Sequence, residues 1–561
     1  MRVGTVFTIY NMEEKYILTL DIGTTTIRSV IYNSRTEIVG KAVDQVVLHY
    51  PKPGYVEIDP DELWKSIVGV VDTALKNAKL SAGQITAMGI STQRSTFITW
   101  SRQTGKPFHR FITWKDLRAD NLVKQWNDSY IWRLIKVGSY VLYMLSRSKR
   151  FRAGSVLKFT NNQTTVRLNW ALHNIQEFKS AVQNNDAMFG TLDTWLLYKM
   201  TGSKIHMSDV SSASATGFFD PFTMQWAGWA MSLFEIPMGA LPKVVDTAGE
   251  HFTSTSPEIW GHAIPIRSCI ADQTASMWGS CCFNIGDIKL TMGTGTFFNI
   301  NTGRSPHASV SGLYPVVGWR LGDELVFSAE GANNDTASII QWAQNIGLFD
   351  NPQDTAEIAM SVPDSDGVFF IPAFSGLGPP YNDFTAASGF LGMKPSTTKA
   401  HLVRAVLESL AFRTAQLYTC VQAETTYNFS TIRLDGGVSN NDFVVQLIAD
   451  LTGLKVERPV QVEMSSLGCA HIVGLQLGIF KSKDELKSLR KVGTVFSPRP
   501  KVTKSYEKII ARWEDAVKRM CGWYLGNKSS QSQNSVHDSS NTVTPQNSFK
   551  VTKLKRNSSA K

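Results

Sequence analysis

Two short stretches, LDIGTTTIRS at 20–29 and TMGTGTFF at 291–298, share one order of residue types: an apolar strand, a glycine, then threonines. A glycine turn lets backbone N–H groups approach an anion because no side chain blocks the way. Threonine hydroxyls add donors, and Arg28 adds positive charge. Either stretch alone reads as a hairpin turn. As a pair, each opening a comparable α/β series, they favour a nucleotide phosphate held from both sides. This is not the lysine-bearing P-loop, because GxxxxGK[ST] occurs nowhere in the chain. Two acids accompany the turns, Asp21 before the first and Asp272, in CIADQTASMWG, before the second. An aspartate beside phosphates serves Mg²⁺ or takes the proton of an attacking hydroxyl. Asp272 also suits the start of a helix, and the two readings are compatible because a helix start favours anions. LDGGVSNN at 434–441 places adjacent glycines between strand and helix, which fits either a ligand approaching the main chain or a tight turn.

The elements that must carry these residues are legible from periodicity. YILTLDIG and TIRSVIYN read as strands, PDELWKSIVGVVDTALKNA as a capped amphipathic helix and ITAMGIST as a buried strand. DIKLTMGTGTFFNI begins a second series, followed by the helix-like SIIQWAQNIG and by a strand, turn and helix in TIRLDGGVSNNDFVVQLIADLTG. Two series predict two lobes with a cleft at the strand ends. The expected layout is an N-terminal extension over 1–15, a first lobe over 16–283 and a second over 284–526. Residues 527–561, rich in Ser, Asn and Gln, form a basic tail too polar to fold alone.

At 561 residues the chain exceeds one core. The net charge of +10 is local: Ser129–Gln176 holds eight basic residues and no acid, and the tail carries +5, so the remainder stands at −3. A nucleic-acid binder of the whole-chain type is therefore excluded. Six cysteines without CxxC or Cys/His spacing, and an N-terminus without a signal-like apolar core, predict reduced thiols in the cytoplasm and no zinc. His49, His206 and His471 have no partner spacing and read as structural.

Taken together the motifs resemble the FGGY carbohydrate kinase family, most closely its glycerol kinases, of which this chain would be a divergent paralogue. The resemblance runs from about Tyr16 to Phe480 and is sharpest in SGFLGMKPSTTKAHLVRAVLES at 388–409. GTLDTWLLYKMTG, SDVSSAS and IPAFSGLGPPY are also family-like. The resemblance implies a two-lobed actin/hexokinase-type (ribonuclease H-like) ATPase fold with a central cleft, closing on ATP, Mg²⁺ and a polyol. By similarity Thr24, Thr25, Thr26 and Arg28 would hold ATP phosphates, with Thr294 in the opposing turn. Gly437 and Asn441 would contact adenosine, and Gln341 would line the nucleotide site. Asp272 matches the general base and Asp21 the aspartate near Mg²⁺. Arg94, Trp114, Asp272 and Gln273 match positions that face the polyol, with Ser95 beside them. Glycerol, giving sn-glycerol 3-phosphate, is the implied reaction.

The pattern breaks in two places. Glycerol kinases usually read QRE where this chain reads Gln93-Arg94-Ser95, and the absent carboxylate would have been worth about 1.5–3 kcal/mol. They also place a lysine at Arg167 and an aromatic near Asn162. Two competing readings therefore stand beside glycerol: the same chemistry on another polyol or a ketose, and a catalytically weak relative kept for interactions. The basic, aromatic-rich insert at 131–159 is expected to be a domain-packing helix followed by a solvated basic loop, with at most weak, salt-sensitive attachment to anionic membranes or a protein. A homo-oligomer stays among the expected partners.

Overall fold

The structure, a computed structural model, describes residues 14–524, so the expectations for most of the N-terminal extension and for the basic tail fall outside the described residues. The first sheet begins with an antiparallel meander of β1 (Tyr16–Ile22), β2 (Thr26–Tyr32) and β3 (Ile38–Gln45). It continues in parallel through β4 (Ile85–Thr92) and β5 (Ile266–Ala271), in the order β5-β4-β1-β2-β3. The second sheet contains β6 (Ile288–Met292), β7 (Thr296–Gly303), β8 (Tyr314–Leu321), β9 (Glu324–Asn333), β10 (Thr431–Asp435), β11 (Lys455–Pro459) and β12 (Val492–Phe496). Their order is β8-β9-β7-β6-β10-β11-β12. In both sheets a hairpin, β1–β2 or β6–β7, carries the Gly-Thr turn and adds a parallel strand on its first member. The two turns therefore occupy equivalent places in two related lobes of mixed α/β structure.

Local chemistry explains the helices. In α1 (Pro60–Ala78), Asp59 caps the first turn by accepting from the Asp61 and Glu62 amides, and Pro60 begins the helix. Leu63, Ile67, Val70, Val71, Ala74 and Leu75 make one buried stripe, and Lys79 ends the helix in a left-handed conformation. That stripe lies against the first sheet so closely that a Cβ at Gly40 would sit 2.5 Å from the Ala74 carbonyl oxygen.

The insert differs from expectation. It forms two helices, α2 (Tyr130–Ser146) and α3 (Lys149–Val156), rather than a helix and a loop. Only Trp132 of α2 is buried, so α2 is not a domain-packing helix. Next comes α4 (Thr164–Asn174), and α5 (Asp272–Gly279) follows β5 directly. The second lobe supplies α6 (Ala337–Asn345), α7 (Asp442–Thr452) and α8 (Met464–Gln476).

Helix α8 crosses the linear division of the chain. Its Met464, Leu467, Ala470 and Val473 pack on Ile17, Val30, Tyr32 and Ala87 of the first sheet. It also meets α5 almost backbone to backbone: a Cβ at Gly468 would lie 1.8 Å from the Ala275 carbonyl oxygen, and one at Gly279 would lie 2.1 Å from that of Met464. Only glycine allows this approach, which fixes the helix bearing Asp272 against the second lobe's chain.

Candidate active site

Where the two sheets face each other there is a cleft of about 1110 Å³. Asp21, Thr24, Thr25, Thr26, Arg28, Arg94, Ser95, Trp114, Asp272, Gln273, Thr294 and Gly437 all line it. Both Gly-Thr turns thus open into one crevice that also contains Asp272. In each turn the first glycine closes the bend, Gly23 N–H donating to the Thr26 carbonyl and Gly293 N–H to that of Gly295. Among the described residues, no partner is found for the amides of Thr24, Thr25 and Thr294. A Cβ at Gly293 or Gly437 would meet nothing within 4 Å. These positions leave open the space that a phosphate or a flat ring would need.

Acids gather on the cleft floor. Asp21 is the next-to-last residue of β1, with Arg28 3.6 Å away. Burial raises its carboxyl above the ordinary value, Arg28 works the other way, and Asp435 adds to the rise. Asp435, at the end of β10, pairs with the buried ammonium of Lys289 and accepts from Ser276 Oγ at 2.6 Å. Asp272 opens α5, and its carboxylate takes the Gln273 N–H at 2.7 Å, so the helix-start reading and the cleft position hold together. Its side chain is 22% exposed. Desolvation pushes the Asp272 carboxyl up to about 7 against the pull of Arg94, with Asp21 and Glu330 adding negative charge nearby.

Above this floor, Arg94 is held from two sides, by Asp272 at 3.7 Å and by Glu330 of β9 at 2.8 Å. Burial works against its charge, but Glu330 and Asp272 more than offset that. The Phe297 ring lies 5.9 Å from the guanidinium and 6.2 Å from Trp114, at 70° to it. Trp114 donates its indole N–H to Thr24 Oγ1 at 2.9 Å, joining the Trp114–Phe297 side of the cleft to the first turn. Gln273 Oε1 is buried without a partner among the described residues. Aromatic faces for C–H groups, beside donors and acceptors for hydroxyls, are what a small polyol requires.

Three expected or neighbouring residues are engaged elsewhere. Gln341 lies on the exposed face of α6, bonded to Gln344 and Asn345, and is not among the lining residues. Asn441 caps α7 by accepting from Val444 N–H and donates to Thr355, while its neighbour Asn440 lines the cleft. Ser95 lines the cleft, but its backbone is left-handed (φ 62°) and its hydroxyl donates to the Ala215 carbonyl at 2.9 Å. The hydroxyl is thus occupied where a carboxylate would have been available.

Sequence reasoning missed Glu330, Phe297, Asp435 and Lys289. Glu330 carried one signal, an acid inside the strand ELVFSAEGAN. Asp435 lay in a motif read only for its glycines. Arg167 is fully buried and donates to the carbonyls of Ile112, Thr113, Ser95 and Asn162. It therefore ties the segments around Ser95, Thr113 and Asn162 together and does not line the cleft. Asn162 bonds Asn334 across the cleft at 3.0 Å.

The comparisons with known proteins agree with one another. The N-terminal domain of the FGGY family of carbohydrate kinases matches residues 16–279, and its C-terminal domain matches 288–476. The chain is 48% identical to glycerol kinase 5 of Danio rerio over 93% of this chain and 99% of that protein. It is 47% identical to glycerol kinase 5 of Homo sapiens over 91% and 96% respectively, and 34% identical to glycerol kinase 2 of Thermotoga maritima over 91% and 99%. Among solved structures, Plasmodium falciparum glycerol kinase with ADP superposes with a TM-score of 0.79 at 28% identity, covering 90% of this chain and 98% of that one.

Proposed function

Because the chain belongs to the FGGY family of carbohydrate kinases, and is thus a polyol or carbohydrate kinase, we propose that it transfers the γ-phosphoryl group of ATP to glycerol, giving sn-glycerol 3-phosphate. The observation that carries this reading is the meeting of two Gly-Thr turns and Asp272 in one cleft beside Arg94 and the Trp114–Phe297 pair. Thr24, Thr25, Thr26 and Arg28 hold the phosphates from one lobe and Thr294 from the other, while Gly437 lies under the adenosine. The proton of the acceptor hydroxyl passes to the Asp272 carboxylate. The acceptor hydroxyl oxygen bonds to the γ-phosphorus as the bond to the β-phosphate oxygen breaks, and ADP leaves. Arg94, Trp114 and Gln273 orient the acceptor, which supports in-line attack more than any covalent step would.

Mg²⁺ fits the donor set. Asp21, Asp272 and Asp435 concentrate negative charge on the floor. Among the described residues no group of three or more His, Cys, Asp or Glu side chains forms a cage of its own. Asp21 would share the ion with phosphate oxygens, the arrangement Mg²⁺ favours, and the ion would neutralise charge on the transferring group while Asp272 stays available to the acceptor. The cytoplasm suits this reading, since all six cysteines are free.

A second reading is favoured by Ser95 and Asn162, which offer neither the carboxylate nor the aromatic ring usual at those places: the acceptor would be another polyol or a ketose. ADP release measured over glycerol, dihydroxyacetone, erythritol, ribulose and xylulose separates the two, with Asp272→Asn as the control. Turnover highest on glycerol supports the first reading and preference for a ketose the second. Nucleotide binding with no turnover on any acceptor contradicts both.

A further inference from the structure

We propose that the insert helix α2 is a docking surface for anionic lipid bilayers, lying in the plane of the membrane interface. The helix is amphipathic with its apolar side turned outward. Trp132, Ile135, Ser139 and Tyr143 face the protein, with Trp132 buried 4.3 Å from the Phe159 ring. On the opposite side Tyr130, Leu134, Val137, Val141 and Leu145 recur at helical spacing, and Tyr130, Leu134 and Leu145 are 82%, 71% and 79% exposed. Ile131, Leu142 and Met144 widen this face. A contiguous apolar patch of this kind on a helix marks an interaction site rather than scattered surface residues.

Charge selects the occupant. The stretch from Ser129 to Gln176 contains eight basic residues and no acid. Arg150 is paired with Asp220 and Lys149 bonds Ser305, but Arg133, Lys136, Arg147 and Arg152 have no ion-pair partner among the described residues. A second copy related by two-fold symmetry would bring this basic rim against itself, which like-charge repulsion disfavours. A bilayer with anionic headgroups offers apolar depth to the leucines and negative charge to the rim at once. Among the described residues no helix is long and apolar enough to cross a membrane, so α2 lies on the surface rather than spanning it. The inner side of the same insert, through Trp132, Ile135 and Arg150, lines the mouth of the cleft. The lipid-facing surface is therefore the outside of a wall of the active site.

The test is co-sedimentation of the full chain with vesicles of phosphatidylcholine alone or mixed with phosphatidylserine. Wild type is compared with the triple variant Leu134→Gln, Val141→Gln, Leu145→Gln, which removes apolar surface and leaves charge unchanged. The basic C-terminal segment is the same in both proteins, so it cannot produce a difference. Wild type is expected to bind the mixed vesicles, and to keep measurable binding as salt rises from about 0.15 to about 1 M, because screening weakens the rim but not the apolar contact. The variant is expected to bind at least about tenfold more weakly, as the loss of three inserted side chains requires, with a thermal unfolding midpoint no lower than wild type. Equal binding of both proteins, or wild type remaining in solution with mixed vesicles, would overturn the proposal. So would a concentration-dependent dimer that the triple substitution dissolves, which would assign the face to a second copy.

Discussion

Asp272 is held between opposing influences, and the balance sets its chemistry. Its carboxyl is pushed up to about 7 by burial despite Arg94, and for the proposed base that is near neutrality, where general-base catalysis is most effective. The kcat/KM of the free enzyme is expected to rise about tenfold per pH unit below that value and to level above it, as a pH–rate profile would read. Asp272→Asn should lower kcat by about 10²–10⁴ and leave nucleotide affinity nearly unchanged, measured by steady-state kinetics and calorimetry. Stability carries the opposite signature. A carboxyl whose folded pKa lies above its unfolded value binds its proton more tightly in the native state, so it costs stability as pH rises from about 4 through 7. Asp272→Asn is expected to melt above wild type at pH 8 and to lose that advantage as the pH approaches 4. Glu330 gives a third case: Glu330→Gln frees Arg94 for Asp272, which should move the acid limb below 7 and raise KM for the acceptor. An unmoved limb would mean that the pair is only structural. Asp272 could be singled out in the sequence as an acid ahead of the second Gly-Thr turn, with a helix start as the competing reading. Glu330 could not, because a single acid in an apolar strand reveals its burial but not the partner waiting across the cleft.

At the scale of elements, the regular pieces were readable wherever one periodicity dominated. The segment PDELWKSIVGVVDTALKNA is α1 from its first residue to its last, and ITAMGIST is β4. The insert was misjudged because an amphipathic pattern reports two faces without saying which is inside. Only the structure shows that Trp132 anchors α2 while its leucines face outward. The glycines of α5 and α8 were equally silent, since close contact between helices far apart in the sequence leaves no local mark. Gly468→Val is expected to force these helices apart, at a cost of about 3 kcal/mol or more. A fall in the thermal midpoint accompanied by reduced turnover would report it. Loss of neither would show that the two helices can separate freely.

The whole molecule places two related sheets so that each contributes one Gly-Thr turn to a common cleft. Arg94–Glu330 and Asn162–Asn334 cross that cleft between the lobes, so residues distant in sequence meet there. The paired turns could be found in the sequence, and two lobes inferred from their repetition. The crossing contacts and the return of α8 to the first sheet could not, because they depend on how the lobes meet. Closing the lobes on substrate would exclude water, which otherwise competes as phosphate acceptor. The most direct measurement is a crystal structure with a non-hydrolysable ATP analogue, Mg²⁺ and glycerol. It should place the γ-phosphate between Thr24–Thr26 and Thr294, with a glycerol hydroxyl in hydrogen-bond contact with Asp272. A terminal phosphate lying outside the space between the two turns, or an acceptor out of reach of Asp272, would contradict the account.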